Sequence, residues 1–170
     1  MRQAPAVLPT PERVLGWLHG VADPEIPVLS IVDLGIVREL AWEHDVCVVT
    51  ITPTYSGCPA MFEITRAIEQ CLQEHGIDHV RIATRLAPAW TTDWMTQAGR
   101  TALRQYGIAP PVQSAIDISG ITRRVAMPPV PCPQCGSAST RLISDFGSTS
   151  CKALYRCSDC REPFDYFKAH

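Results

Sequence analysis

The stretch Val46-Cys-Val-Val-Thr-Ile-Thr-Pro-Thr-Tyr-Ser-Gly-Cys58-Pro59 joins a strand pattern to the beginning of a helix pattern. Its first seven residues are rich in β-branched side chains, which favour strands. Val48, Val49 and Ile51 place apolar side chains on both faces, as an inner strand of a sheet requires. Residues 34–42 form a second strand pattern, and the polar residues 43–45 between the two predict a hairpin.

Three helix patterns and two further strand patterns surround this hairpin. Thr10 as N-cap and Pro11 at the first helical position predict a helix that ends before Pro24. The order α-β-β-α-β-α predicts a small two-layer α/β (α+β) domain. The remaining elements are expected at residues 59–76 (helix), 80–86 (strand), 92 or 93 to 107 (helix) and 116–118 (a short strand).

A second, smaller module is indicated by two Cys-x-x-Cys pairs near the C-terminus. Cys132 and Cys135 form one pair, Cys157 and Cys160 form the other, and 21 residues separate the pairs. Two such turns supply the four thiolates of a tetrahedral zinc site, so a zinc ribbon is predicted. Cys151 lies inside the ribbon, where it could be a buried strand thiol, a spare ligand or a redox-active group.

These patterns predict four segments of the chain. Residues 1–9 are expected to be a flexible N-terminus, and residues 10–122 the α/β domain. Residues 123–131 contain three prolines and are interpreted as a linker, so the zinc ribbon occupies residues 132–170.

Composition narrows the class of protein. The chain has 170 residues, of which 46% are hydrophobic, and a formal net charge of −2. It lacks the basic field of a nucleic-acid binder and any apolar run long enough to span a membrane. No secretory signal pattern is seen at the start, so reduced thiols and a cytoplasmic location are expected.

Cys58 is the leading candidate for a functional thiol. Gly57 allows a positive φ or a close backbone approach, and Pro59 at the first helical position would make Cys58 the helix N-cap. Free N–H groups at a helix N-terminus favour a thiolate, so a depressed Cys58 pKa is predicted. The alternative is a merely structural thiol, as is expected of Cys47 and Cys71 on apolar stretches.

Two further loops carry candidate residues. Asp23 and Glu25 stand in a proline-bounded turn, and Asp33 follows it closely; these carboxylates could bind a metal, although turn formation and capping is the simpler interpretation. Trp90, in a loop before the third helix, could line a groove or cover the core.

Residues 23–37, 52–59 and 88–91 together resemble the SufT-type domain of metal–sulfur cluster assembly factors, in order and in spacing. The resemblance covers about residues 10–110, and with the zinc ribbon the whole chain is similar to the D proteins of bacterial phenylacetate degradation operons. The resemblance implies that the motif cysteine is Cys58 and that the accompanying motif residues are Asp23, Glu25, Asp33, Thr52, Gly57, Pro59 and Trp90.

The resemblance also implies a function. A protein of this kind would be a non-catalytic maturation factor for the oxygenase that epoxidises the ring of phenylacetyl-CoA. It would carry zinc and, transiently, iron or an iron–sulfur cluster, and its partners would be the oxygenase subunits or their reductase. Because one thiolate cannot hold a cluster alone, Cys58 could act with a client's ligands or across a homodimer. The alternatives are a structural subunit of the oxygenase and a cysteine-nucleophile enzyme, although no His stands beside Cys58 in sequence.

Overall fold

The computed structural model describes residues 8–112 and 129–169. The chain divides into two compact units, Met1–Trp90 and Thr91–His170. This division falls earlier than the linker expected at 123–131, so the third helix belongs to the same unit as the ribbon. The strand expected at 116–118 and most of that linker lie outside the described residues, and the domain bounds 10–122 and 132–170 stay a prediction.

The first unit begins with helix α1, Pro11–Leu18, and later contains helix α2, Met61–Glu74. Thr10 is the N-cap of α1 as predicted, and its side chain accepts a hydrogen bond from the Arg13 N–H. Helix α2 begins two residues later than expected, with Ala60 as its N-cap, because Pro59 and Ala60 form a turn before the helix. Gly76, with φ of 81°, terminates it where the sequence indicated.

The first unit's sheet has three strands, β1 Val37–Glu43, β2 Val46–Ile51 and β3 Val80–Thr84. Strands β1 and β2 form the predicted antiparallel hairpin, and β3 pairs with β2 in parallel. The order β1-β2-β3 confirms β2 as the inner strand. The β2–α2–β3 connection is a crossover, which explains why α2 lies directly after the Cys58 loop.

Helices α1 and α2 contact each other, and they contact β1 and β3 respectively. Their apolar stripes close the core against the sheet, and each buried Leu or Ile contributes about 1.5–3 kcal/mol of hydrophobic free energy. The arrangement confirms the predicted two-layer α/β class. The largest fully buried side chains of this unit are Leu18, Ile26, Leu29, Ile31, Leu34, Ile36, Ile51, Ile64, Ile68 and Leu72.

The second unit opens with a 3₁₀ turn, Thr92–Trp94, and helix α3, Gln97–Gln105. The sequence predicted one continuous helix here, which is wrong. Met95 is extended, with ψ of 132°, and Thr96 starts α3 as a new N-cap whose Oγ1 accepts from the Gly99 N–H at 3.0 Å. A strong capping residue therefore interrupts an otherwise helical pattern.

The ribbon contains strands β4 Thr140–Ser144, β5 Lys152–Cys157 and β6 Pro163–Phe167, paired antiparallel in that order. Ala109 attaches to the outer edge of β6, because it donates to Asp165 O at 2.8 Å and accepts from Phe167 N–H at 2.9 Å. One face of the ribbon sheet packs into a small core formed by Ala109, Val130, Cys132, Ala153, Cys157, Phe164 and Tyr166. Across the described ranges, no helix is long and apolar enough to cross a membrane.

Candidate metal and thiol sites

The four ribbon thiols converge on one point. The Sγ atoms of Cys132, Cys135, Cys157 and Cys160 all lie within 4.8 Å of one another. Two of the Sγ–Sγ distances, Cys132–Cys160 and Cys135–Cys157, are 3.7 and 3.6 Å. Sulfurs about 2.3 Å from a tetrahedral ion stand about 3.8 Å apart, whereas a disulfide requires about 2.05 Å. The group is therefore a metal site and not a pair of disulfides.

Backbone hydrogen bonds shape both Cys-x-x-Cys turns. Gly136 N–H donates to Cys132 O and Cys132 N–H donates to Ser137 O, both at 2.9 Å, with Gly136 at φ of 76°. In the second turn, backbone N–H groups of Cys160 and Asp159 hydrogen-bond to the Cys157 thiol and lower its pKa to about 7. The folded ribbon thus favours a thiolate, which is the form that binds metal.

Cys151 lies outside this thiol group. It is buried, and its Sγ is 3.0 Å from Thr149 Oγ1. Of the three roles left open, a buried structural thiol is the one that this position favours, because the spare-ligand role would require its sulfur near the other four.

The Cys58 loop connects β2 to α2. Thr52 N–H donates to Ile36 O at 2.9 Å, which holds the start of the loop beside the residue before β1. A turn follows in which Cys58 N–H donates to Tyr55 O at 3.3 Å and Gly57 has φ of 90°. The predicted positive φ at Gly57 is confirmed, but the predicted N-cap position of Cys58 is wrong, since α2 starts at Met61.

The predicted depression of the Cys58 pKa is also wrong. Burial raises the pKa of Cys58, and the nearby carboxylates of Glu25 and Asp23 raise it further. Hydrogen bonds from the Ala60 backbone and the Tyr55 side chain act in the opposite direction and do not outweigh them. Cys58 is therefore a neutral thiol at pH 7, and a bound cation would have to displace its proton.

Asp23 and Glu25 approach Cys58 through the shape of their own turn. Asp23 is buried, and its Oδ1 accepts from Glu25 N–H at 2.9 Å and from Ile26 N–H at 2.8 Å. This Asx turn closes a loop whose ends pair at Ala22 and Ser30. Asp23 thus forms the turn, as the simpler interpretation expected, and also contributes charge beside the thiol.

Asp33 belongs to a different group. Its Oδ2 accepts from Ser30 Oγ at 2.9 Å and lies 3.6 Å from His19 Nδ1, while its N–H donates to Ser30 Oγ at 2.9 Å. These contacts cap the turn that leads into Gly35 and β1, as the simpler interpretation proposed.

Trp90 covers the core. It is 3% exposed, and its Nε1–H donates to Leu34 O at 3.0 Å, so of the two alternatives burial is favoured over lining a groove.

Two residues of the Cys58 loop gain importance from the structure. Tyr55, which the sequence did not single out, hydrogen-bonds to Cys58; its only signal was a hydroxyl-bearing aromatic in the motif loop. Thr52 is 1% exposed, and its Oγ1 has no hydrogen-bond partner within the part of the chain that is described. A buried unpaired hydroxyl costs free energy, so the loop is not optimised for stability alone.

Sequence comparisons agree with this division into two parts. Residues 11–81 match the model of the family described as "Iron-sulfur cluster assembly protein", and residues 119–168 match "PaaD zinc beta ribbon domain". The first part also resembles a crystal structure of a DUF59 domain from Bacillus anthracis, with a TM-score of 0.50 and 27% identity, over 54% of this chain and 89% of that one. Fold and sites thus define an iron–sulfur-assembly-type domain carrying a metal-binding ribbon.

Two curated relatives narrow this class. The chain is 48% identical, over 98% of both proteins, to an Escherichia coli K12 protein named as the putative D component of 1,2-phenylacetyl-CoA epoxidase. It therefore belongs to the family of phenylacetyl-CoA epoxidase D components. It is also 33% identical to the Staphylococcus aureus USA300 "Fe-S protein maturation auxiliary factor SufT", over 49% of this chain and 96% of that protein.

Proposed function

We propose that this protein is a maturation factor of the phenylacetyl-CoA epoxidase system that helps to assemble or insert iron or an iron–sulfur cluster. The observation that carries the proposal is the incomplete ligand set at Cys58. One thiol lies near two carboxylates, Glu25 and Asp23, which act on its pKa. Within residues 8–112 and 129–169, the four ribbon thiols are the group of three or more ligating side chains that gathers around one point.

An incomplete site suits delivery better than storage. Iron–sulfur clusters require about four protein ligands, and one thiol with carboxylates leaves positions open for ligands of a client protein. Oxygen ligands also bind iron less softly than thiolates, which favours release. A homodimer that brings two Cys58 thiols together would be another way to complete the site, and its partners would be the oxygenase subunits or their reductase.

The ribbon metal is proposed to be zinc, with a structural role. Four thiolates at tetrahedral separations fit Zn²⁺, and they leave no open position for chemistry. The donor set would also accept iron. Reduced thiols at all eight cysteines support a cytoplasmic location.

The maturation role is tested by deleting the gene and purifying the oxygenase without air. We expect normal amounts of oxygenase polypeptides, a lower iron content by elemental analysis and lower phenylacetyl-CoA oxygenation. Reconstitution with iron, and with sulfide for the reductase, should restore turnover without this protein.

The runner-up is a structural subunit without a metal-transfer role. The name of the Escherichia coli relative, which calls it a subunit, favours this alternative. If fully metallated oxygenase still required this chain for turnover, the maturation role would be rejected in favour of the subunit role.

A further inference from the structure

Three arginines form a cluster beside the second Cys-x-x-Cys turn. Arg141 of β4 and Arg156 of β5 are directly opposite partners in the antiparallel ladder, so their side chains share one face of the sheet. Arg161 follows the turn with φ of 67°, and its carbonyl accepts from Arg156 Nε at 3.1 Å. The three side chains line a cavity of about 290 Å³ together with Cys157 and Ser158.

This arrangement costs stability in the isolated chain. Like charges directly opposite each other in a sheet repel. In the described ranges, none of the three arginines forms an ion pair, and Glu162, next to Arg161, does not pair with any of them. The other two cations of the ribbon are occupied, since Lys152 lies 4.0 Å from Asp165 and Lys168 donates to Asp145 O.

Apolar side chains continue the same face. Pro163 is the ladder partner of Arg156, and it lines an adjoining groove of about 390 Å³ with Leu154 and Phe146. Phe146 is 68% exposed. The opposite face of the sheet is the one that carries the packed core, so the arginine side is the outer face of the ribbon.

We propose that this outer face, formed by Arg141, Arg156 and Arg161 with the Phe146–Pro163 groove, docks an acidic segment of the oxygenase. Arginine pairs with carboxylates in a bidentate geometry, which suits three unpaired guanidinium groups. The exposed apolar groove beside them favours a protein segment over a free anion. A net charge of −2 for the chain disfavours nucleic acid. The inference rests on the proposed function for the identity of the partner.

The test measures binding of the purified oxygenase complex to the full chain by biolayer interferometry, at about 50 and about 300 mM NaCl. Arg141→Glu should weaken binding by about tenfold or more at low salt and reduce its salt dependence. Because Glu at 141 would face Arg156, the free variant should melt at the same temperature as the wild type or higher. Loss of binding without loss of stability separates a docking role from a structural one.

Arg104→Glu is the matched control. Arg104 is exposed on α3 in the same unit, and its replacement changes the net charge equally. It should bind the oxygenase as the wild type does. Equal binding by Arg141→Glu and wild type, or equal loss in both variants, would overturn the proposal.

Two further outcomes have a defined meaning. If wild-type protein does not bind the oxygenase, the docking proposal fails, whereas iron content in the deletion strain still decides the maturation role. If inorganic phosphate or coenzyme A binds the wild type but not Arg141→Glu, and the oxygenase binds both equally, the cluster is an anion site and the docking proposal is rejected.

Discussion

The two cysteine sites of this chain differ in how completely the protein supplies the ligands. In the ribbon, four sulfurs gather within 4.8 Å and satisfy a tetrahedral ion. At Cys58, one thiol has carboxylates nearby but no comparable set of converging ligands in the described structure. A closed set holds a metal as part of the fold, and an open set leaves positions that a client can fill.

The backbone around each thiol reinforces this difference. Amide N–H groups lower the pKa of Cys157 to about 7, so the ribbon is prepared for a cation before one arrives. Burial and negative charge raise the pKa of Cys58. Metal binding there must displace a proton, which weakens retention and permits transfer.

The largest effect is expected from breaking the closed site. Cys157→Ser should remove the metal and unfold the ribbon, since a structural zinc site contributes about 10–16 kcal/mol to small metal-dependent folds. Hydrogen exchange should show loss of protection in β4–β6 while β1–β3 stay protected.

Cys151→Ser is the control for this experiment, because Cys151 is buried in the same sheet but is not in the thiol group. It should retain one metal ion per chain by elemental analysis. Metal retention by Cys157→Ser would show that the closed site is misassigned.

The next effect concerns the open site. Cys58→Ser should reduce oxygenase iron content in cells to the level of the deletion strain, while the fold and the ribbon metal are unchanged. The reason is that an alcohol at this position does not replace a thiolate as an iron ligand. Circular dichroism and elemental analysis of the purified variant check the second part.

Cys71→Ser is the matched thiol variant, since Cys71 is half-buried on α2 and its Sγ donates to Trp17 O at 3.5 Å, a bond that Ser can retain. It should support normal iron content. Full activity of Cys58→Ser would mean that the two sites do not differ in function as proposed.

The smallest effect sharpens the electrostatic contrast. Iodoacetamide labelling of Cys58 followed by mass spectrometry should give a pH profile with its midpoint above the ordinary thiol pKa of about 8.5. Glu25→Gln removes a carboxylate that disfavours the thiolate, so the midpoint should fall and labelling at about pH 8 should rise about two- to fivefold.

Glu12→Gln, on exposed α1, controls for the change in net charge and should leave the Cys58 profile unchanged. A profile that does not move in Glu25→Gln would leave burial as the sole cause of the raised pKa and remove the carboxylate from the site.

Local patterns account for what could be predicted. Thr10 and Pro11 specify the start of α1 because capping involves neighbouring residues only. The β1–β2 hairpin follows from two strand patterns joined by a short polar turn. The errors arose where two local signals competed, as at Pro59, which starts a turn and not a helix, and at Thr96, which caps α3 inside a helical pattern.

The sequence by itself determined the elements of the first unit and the four ribbon ligands, because each Cys-x-x-Cys turn aims two sulfurs through local geometry. Only the tertiary structure decided the chemistry of Cys58, since Glu25 is distant from it in sequence and burial depends on the whole core. The same holds for Arg141 and Arg156, which face each other only in the actual strand register. A pKa and a charge cluster depend on distances in space, which short-range patterns do not contain.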